Sequence, residues 1–250
     1  MGFERSCSGA HGWNIQRTKR GRKDGDSSQI MCNDYRLEVE IASILEDFDN
    51  LEINIETPEG VPEVEARADI RMTDVAPIVR AAHHSPGNYR AVGAMVMRRW
   101  SWPGKRGPVY NFRTEGFGGR APDLSANRCL VLCDGFYEFT DPAVPRPKDK
   151  RLDKWLFTLR DHHWFCMAGI WRADPEVGEA FSLLTMDAGV DIEPFHNRQI
   201  IPLMRGQWAD WLDAAVPAED FLKHLPAGTL QVTQVYPLPP RDADQATLAL

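Results

Sequence analysis

The sequence predicts an α+β fold built mainly from antiparallel strands. Three observations carry this expectation. Short apolar runs at 91–97, 129–133, 155–159, 164–170 and 181–186 are bounded by Gly, Pro or Asp, as strands are. These runs follow one another without the alternation of strand and helix that a parallel sheet requires. Helical periodicity is confined to short stretches near either end of the run of strands.

Residues 1–30 carry six basic residues against three acids, including the run RTKRGRK at 17–23, and keep no helical or strand period. They predict a disordered extension, with either Met31 as the true start or a real extension that has to be cleaved off, and 31–250 as a single domain. After Cys32, the residues Leu37, Ile41, Leu45 and Phe48 fall on one face at a 3.6-residue period, which predicts an amphipathic helix. The stretch 155–170 reads as a hairpin turning at 160–163. Trp208, Trp211 and Leu212 mark a second helical region, continued by 221–225 after Pro217. A last strand at 230–235 precedes a Pro-rich tail.

Composition narrows the function classes. The chain has 250 residues, of which 43% are hydrophobic and 26% charged, ordinary values for a globular protein. No run of 18 apolar residues and no apolar leader occurs, so a cytoplasmic protein without a membrane span is expected, with a monomer as the simplest state. Five cysteines at uneven spacing, without a Cys-x-x-Cys pair, predict neither a disulfide framework nor a zinc site. Nothing in the sequence asks for a metal or an organic cofactor.

A net charge of −7 argues against bulk attraction to nucleic acid, but local charge differs. Between 98 and 120 stand Arg98, Arg99, Lys105, Arg106, Arg113 and Arg120 with one acid, Glu115. They are interleaved with Trp100, Trp102, Tyr110, Phe112 and Phe117. Cations for phosphates and aromatic faces for bases are what single-stranded DNA binding uses. A solvated loop with core aromatics would have the same composition.

Cys32 is the first candidate for chemistry. With Met31 as the start and then removed, Cys32 would expose an α-amine and a thiol on adjacent carbons. An α-amine titrates at about 7.7–8.0, so a useful fraction is neutral at physiological pH. A neutral amine condenses with an aldehyde to a Schiff base, which the thiol closes into a thiazolidine. The ring-opened deoxyribose of an abasic site offers such an aldehyde. A cysteine is otherwise a small buried hydrophobe. Alternation in Asn111-Phe112-Arg113-Thr114-Glu115 would put three polar groups on one strand face. Glu138, between Tyr137 and Phe139, is a carboxyl in apolar company, a setting that raises its pKa and suits proton transfer. His196 is a candidate acid–base group. His83, His84, His162 and His163 lack metal-ligand spacing and read as loop residues.

Taken in order, these segments resemble the SOS-response-associated peptidase (SRAP) family of abasic-site processing proteins. Met31-Cys32 matches the family's start. Asp74-Val75-Ala76-Pro77 is similar to its Asn-Val-Ala-Pro block. Asn111 to Glu115 is similar to Asn-Ala-Arg-x-Glu, Gly135 to Phe139 to its Gly-aromatic-aromatic-Glu-Trp block, and His196-Asn197-Arg198 to His-x-Arg. The resemblance spans about 31–235. It implies antiparallel sheets curled into a barrel-like core with flanking helices. It implies Cys32 as the nucleophile, Asn111 as its orienting group, and Glu138 and His196 as acid–base groups. Arg113 and Arg198 would hold phosphates, Arg98 and Arg99 would add cations, and Trp100 and Trp102 would stack on bases. The partner implied is single-stranded DNA containing an abasic site, with self-processing of the N-terminus and lyase activity through the Schiff base. The chain departs from the family's Met-Cys-Gly-Arg opening: Asp34 stands where the arginine is usual, and Arg36 is the nearest cation to replace it.

Three readings follow: a crosslinking enzyme for abasic sites, a cysteine peptidase using Cys32 with His196 or Glu138, and a non-catalytic single-stranded DNA-binding module. Only the first makes Cys32 essential for a covalent DNA adduct.

Overall fold

The structure is a computed structural model, and it describes residues 32–82, 92–105, 107–116, 124, 126–147, 149 and 151–238. The extension predicted at 1–30, Met31, the histidines His83 and His84, and Arg106, Phe117 and Arg120 lie outside the described residues.

The described chain is mostly β, with few and short helices. In order it forms β1 (Asp34–Leu37), α1 (Ile41–Asn50), β2 (Asn54–Glu56), β3 (Arg67–Arg71), β4 (Val75–Ala81), β5 (Val92–Trp100), β6 (Asn111–Arg113), β7 (Arg128–Cys133), β8 (Gly135–Thr140), β9 (Asp153–Leu159), β10 (Phe165–Asp174), β11 (Gly178–Asp187), β12 (Arg198–Ile200), β13 (Pro202–Leu203), α2 (Trp208–Leu212) and β14 (Leu230–Tyr236). Single 3-10 turns occupy Arg205–Gln207 and Ala218–Asp220.

Two curled sheets result. One runs β14-β9-β8-β1-β3. The other runs β12-β11-β10-β7-β4-β5-β2, and a further pairing of β11 with β5 closes β11, β10, β7, β4 and β5 into a ring. Most pairs are antiparallel; β5 pairs in parallel with β2 and β11, and β6 in parallel with β11. All six residues of β7 are buried, as expected of a strand flanked by β10 and β4 and covered on both faces. Gly169 of β10 lets that ring close tightly: a Cβ there would stand 2.8 Å from Val131 and 2.9 Å from the Cys129 sulfur. One residue, Asp134, separates β7 from β8, so the chain steps from the ring to the second sheet at that point.

The predicted helix after Cys32 begins later than its periodicity suggested. Leu37 belongs to a strand, because β1 fills the gap between β8 and β3. The helix proper buries Ile41, Ile44 and Phe48, with Phe48 packed 5.6 Å from Trp164 and 5.2 Å from Trp208. The hairpin predicted at 155–170 does not form. β9 pairs with β8 and β14, whereas β10 pairs with β7, β11 and β13. The turn, with Asp161 at φ 60°, carries the chain from one sheet to the other. β9 gains two neighbours that way and β10 three. The helical pattern at 221–225 is not realised either; only the turn Ala218–Asp220 precedes it, and Phe221 packs on Trp211 at 5.5 Å.

Candidate active site

The seam between the two sheets brings three of the four predicted catalytic residues together. β1 and β8 are antiparallel, with Tyr35 opposite Phe136 and Arg36 opposite Gly135. Continuing that register carries Cys32 toward the Glu138 end of β8. The Glu138 carboxyl accepts the backbone N–H of Cys32. From the ring, β6 lies parallel to β11 with Asn111 opposite Leu183. The Asn111 Nδ2 donates to the Cys32 carbonyl at 2.9 Å. Cys32 is thus gripped at its nitrogen by one sheet and at its carbonyl by the other.

His196 has no hydrogen bond to these three. It sits in the excursion between β11 and β12, where Phe195 packs 4.9 Å from Trp155 and 5.2 Å from Phe157. Trp155 is the register partner of Glu138, so His196 follows a residue anchored on the neighbouring strand of the same sheet. The Arg198 side chain ties the excursion to the end of the Asn111 segment through Glu115.

Burial dominates the electrostatics. Cys32 and Glu138 are each 1% exposed. Burial pushes the Glu138 carboxyl well above its ordinary range, and the Cys32 N–H opposes that shift in part. Burial first, and the neighbouring Glu138 second, push the Cys32 thiol up, so it is held as S–H. The Cys32 thiol donates to the Asp34 carbonyl at 3.5 Å, and hydrogen bonding with the backbone of Asp34 and Tyr137 opposes the shift in part. Burial lowers the pKa of His196, which favours the neutral imidazole. Asn111 Oδ1, Glu138 Oε2 and His196 Nε2 are all buried and find no hydrogen-bond partner among the described residues. Buried polar atoms are ordinarily satisfied, so the unpartnered Asn111 Oδ1 and Glu138 Oε2 on the two residues that hold Cys32, and His196 Nε2, are exceptions to that rule.

The aromatic and basic stretch is divided by the structure. Trp100 is fully buried; its Nε1 donates to the Tyr110 carbonyl at 2.8 Å, and Tyr35 and Phe181 cover its ring. The expectation that Trp100 stacks on a base is corrected: the ring packs where β11 closes on β5, and its faces are taken. Trp102 is 4% exposed, with the Arg172 guanidinium 4.6 Å above its ring. Trp102, Lys105, Phe112 and Arg172 line a cavity of about 560 Å³. Arg98 is clasped by Glu59 and Glu179, and Arg198 by Glu115 and Asp187. Arg99 reaches the Thr73 carbonyl at 3.4 Å, and Arg113 is exposed.

The departure at Asp34 has a local explanation. Asp34 accepts a hydrogen bond from Lys154 Nζ at 2.7 Å, and Lys154 also binds Asp69 at 2.5 Å. Burial raises the Asp34 pKa to about 6. A cation from β9 therefore stands beside the position where an arginine is usual. Arg36 does not take that place, because Asp134 holds it at 2.5 Å. Asn33, Asp34, Phe139, Lys154 and Tyr236 line a second cavity, of about 850 Å³.

The sequence offered Tyr110 only as an aromatic face for a base, not as a neighbour of Cys32. Burial, then the nearby Cys32 and Glu138, raise its hydroxyl pKa, which places the phenol close to the site. Strand alternation would put Tyr110 on the face opposite Asn111, so the pattern held no signal for it. Among the described residues no group of three His, Cys, Asp or Glu is placed to hold a metal ion, and no helix is long and apolar enough to cross a membrane.

Comparison with solved structures gives the same architecture. A protein from Bacteroides thetaiotaomicron superposes with a TM-score of 0.60 at 13% identity, over 81% of this chain and 91% of its own. A phage-related protein from Bordetella bronchiseptica gives 0.59 at 17% identity, over 82% and 94%. Another protein from Bordetella bronchiseptica gives 0.56 at 20% identity, over 82% and 99%. At such identities the likeness is one of fold. No curated protein matches the chain. The family model described as SOS response associated peptidase (SRAP) matches residues 31–238, from the residue before Cys32 to the end of the described chain. The chain belongs to the SOS response associated peptidase family.

Proposed function

We propose that this protein processes abasic sites in single-stranded DNA by capturing them covalently on Cys32, once Cys32 is the N-terminal residue. The observation that carries the reading is the contact between Glu138 and the Cys32 nitrogen. That nitrogen would be the nucleophile, and the carboxyl beside it is buried, shifted toward its protonated form and has a free oxygen.

The chemistry balances with the groups present. The neutral amine of Cys32 attacks the C1′ aldehyde of the opened deoxyribose. Glu138 gives its proton to the carbinolamine hydroxyl, which leaves as water, and an imine forms. The Cys32 sulfur then adds to the imine carbon. The imine keeps the remaining proton of the nitrogen as the sulfur adds, so the thiol proton passes to the Glu138 carboxylate and Glu138 ends protonated, as it began. The product is a thiazolidine, and water is the only other product. A buried S–H fits this order, because the thiol loses its proton only as it adds. Asn111 holds the Cys32 carbonyl and so fixes the direction of the amine. His196, with Nε2 free, would exchange protons with the sugar during ring opening. Exposed Arg113 would meet a phosphate, and the Trp102–Phe112 cavity would take a flanking nucleotide. Arg98 and Arg198 would add little net attraction, since two acids neutralise each. Residues 31–250 are proposed to work as one domain.

The same contact supports a peptidase step. A carboxyl at the Cys32 nitrogen can protonate it as the leaving amine, so cleavage before Cys32 would free the amine the capture needs. The test is incubation with abasic single-stranded DNA followed by denaturing electrophoresis. A covalent adduct that disappears in Cys32→Ala supports the reading, and an adduct that persists in Cys32→Ala contradicts it.

A further inference from the structure

The Arg198 backbone offers the His196 ring two partners at once. Nδ1 of His196 lies 3.0 Å from the Arg198 N–H and 3.0 Å from the Arg198 carbonyl. With the proton on Nε2, Nδ1 accepts from the amide; with the proton on Nδ1, it donates to the carbonyl. Either tautomer is anchored without a movement of the ring. Nε2, buried and without a partner among the described residues, is left free to donate in one tautomer and accept in the other.

That arrangement needs Arg198 itself to stay fixed. Its guanidinium binds Glu115 with both nitrogens, Nη2 to Oε2 at 3.0 Å and Nη1 to Oε1. It also reaches Asp187 at 2.9 Å and the Thr185 carbonyl at 3.0 Å. Asp187 and Thr185 lie on β11, so these bonds hold β12 to its neighbouring strand. Glu115 differs: it stands just after β6, four residues beyond Asn111. A two-pronged Arg–carboxylate pair fixes orientation as well as distance. Glu115 is thereby the link between the strand that orients Cys32 and the turn that carries His196.

We propose that Glu115 is a positioning residue: its grip on Arg198 holds the His196 ring against the Arg198 backbone, so that Nε2 acts alternately as proton donor and proton acceptor at the Cys32 site. The proposal builds on the abasic-site reading, and its first arm needs no DNA. The nitrogen-15 signals of His196 in the intact protein report its tautomers. In the unsubstituted protein they correspond to a ring in fixed contact with the Arg198 backbone; in Glu115→Gln they broaden and move as that contact loosens. In the second arm, the crosslinking rate at saturating abasic DNA falls about tenfold or more in Glu115→Gln. Noncovalent affinity for undamaged single-stranded DNA stays equal or rises, because an acid has been removed. Arg198→Lys, which keeps the charge and loses the fork, shows the same loss of rate, and the double variant is no slower than either single one.

His196 signals unchanged in Glu115→Gln, or a rate within twofold of the unsubstituted protein, would overturn the proposal. An unsubstituted protein that forms no adduct would instead overturn the abasic-site reading, while the signals of His196 still decide the role of Glu115.

Discussion

Asn111 Nδ2 donates to the Cys32 carbonyl at 2.9 Å across 79 residues of sequence, and this bond joins β6, which lies along β11 of the ring, to the residue two before the start of β1. Removing it should cost stability on the order of 1 kcal/mol. It should cost the chemistry more, because the direction of the Cys32 nitrogen depends on its carbonyl. Asn111→Ala is expected to crosslink about tenfold more slowly at saturating DNA, with noncovalent affinity within about twofold. A quenched time course beside a binding titration checks this, and an unaltered rate would speak against an orienting role.

Glu138 should trade stability for reactivity. Its folded pKa lies above the ordinary 4.5 of a glutamate. The stability it contributes is therefore fully present below about pH 4.5 and is lost as the pH rises through the folded value. Glu138→Gln removes that dependence. The variant should gain on the parent as the pH rises, by roughly 1–3 kcal/mol at pH 8, while the rate falls by about a hundredfold or more. Thermal melts at pH 5 and pH 8 check the first part. A difference that does not grow with pH would mean that Glu138 is not held protonated.

Ser101 is built into a conformation that suits glycine. Its φ is 94°, it is 1% exposed, and its hydroxyl finds no partner among the described residues. Ser101→Gly removes the strain and the buried hydroxyl together. The expected gain is about 1–3 kcal/mol, or a Tm higher by roughly 2–4 °C per kcal/mol for a chain of this size. Calorimetry decides; a lower Tm would show that the serine hydroxyl has a use in the fold.

Trp100 should behave as core. Trp100→Ala is expected to cost about 3–5 kcal/mol, because a large cavity is left at the closure of the ring. Trp100→Phe should lose less, and the folded variant should bind single-stranded DNA within about twofold of the parent. Denaturant melts and a binding titration separate the two roles. A large loss of affinity in folded Trp100→Phe would return the ring to the DNA surface.

Cys32, Asn111, Glu138 and His196 stood out in the sequence as candidates because polar residues in apolar or alternating surroundings are conspicuous and because their order resembled a family pattern; the structure brings the first three together. The runs that became β5, β7, β9, β10 and β11 were legible from their turn-bounded apolar residues. Which strands pair was not. The turn at 160–163 looked like a hairpin because local sequence records a reversal of direction but not a change of sheet. Trp100 looked available because its neighbours Arg98 and Arg99 are charged, yet the pairing of β11 with β5 buries it. The pairing of Glu115 with Arg198 spans 83 residues, and no local pattern could reveal it. The exchange of the usual arginine for Asp34 was visible; its hydrogen bond with Lys154, 120 residues away, was not.

Capture requires a free nitrogen on Cys32, which intact mass spectrometry after incubation with an abasic single-stranded oligonucleotide reads out. Protein beginning at Cys32 should gain the mass of the oligonucleotide less one water. Cys32→Ala, and protein that retains residues ahead of Cys32, should gain nothing. A covalent adduct of the same mass in either of these would contradict the account.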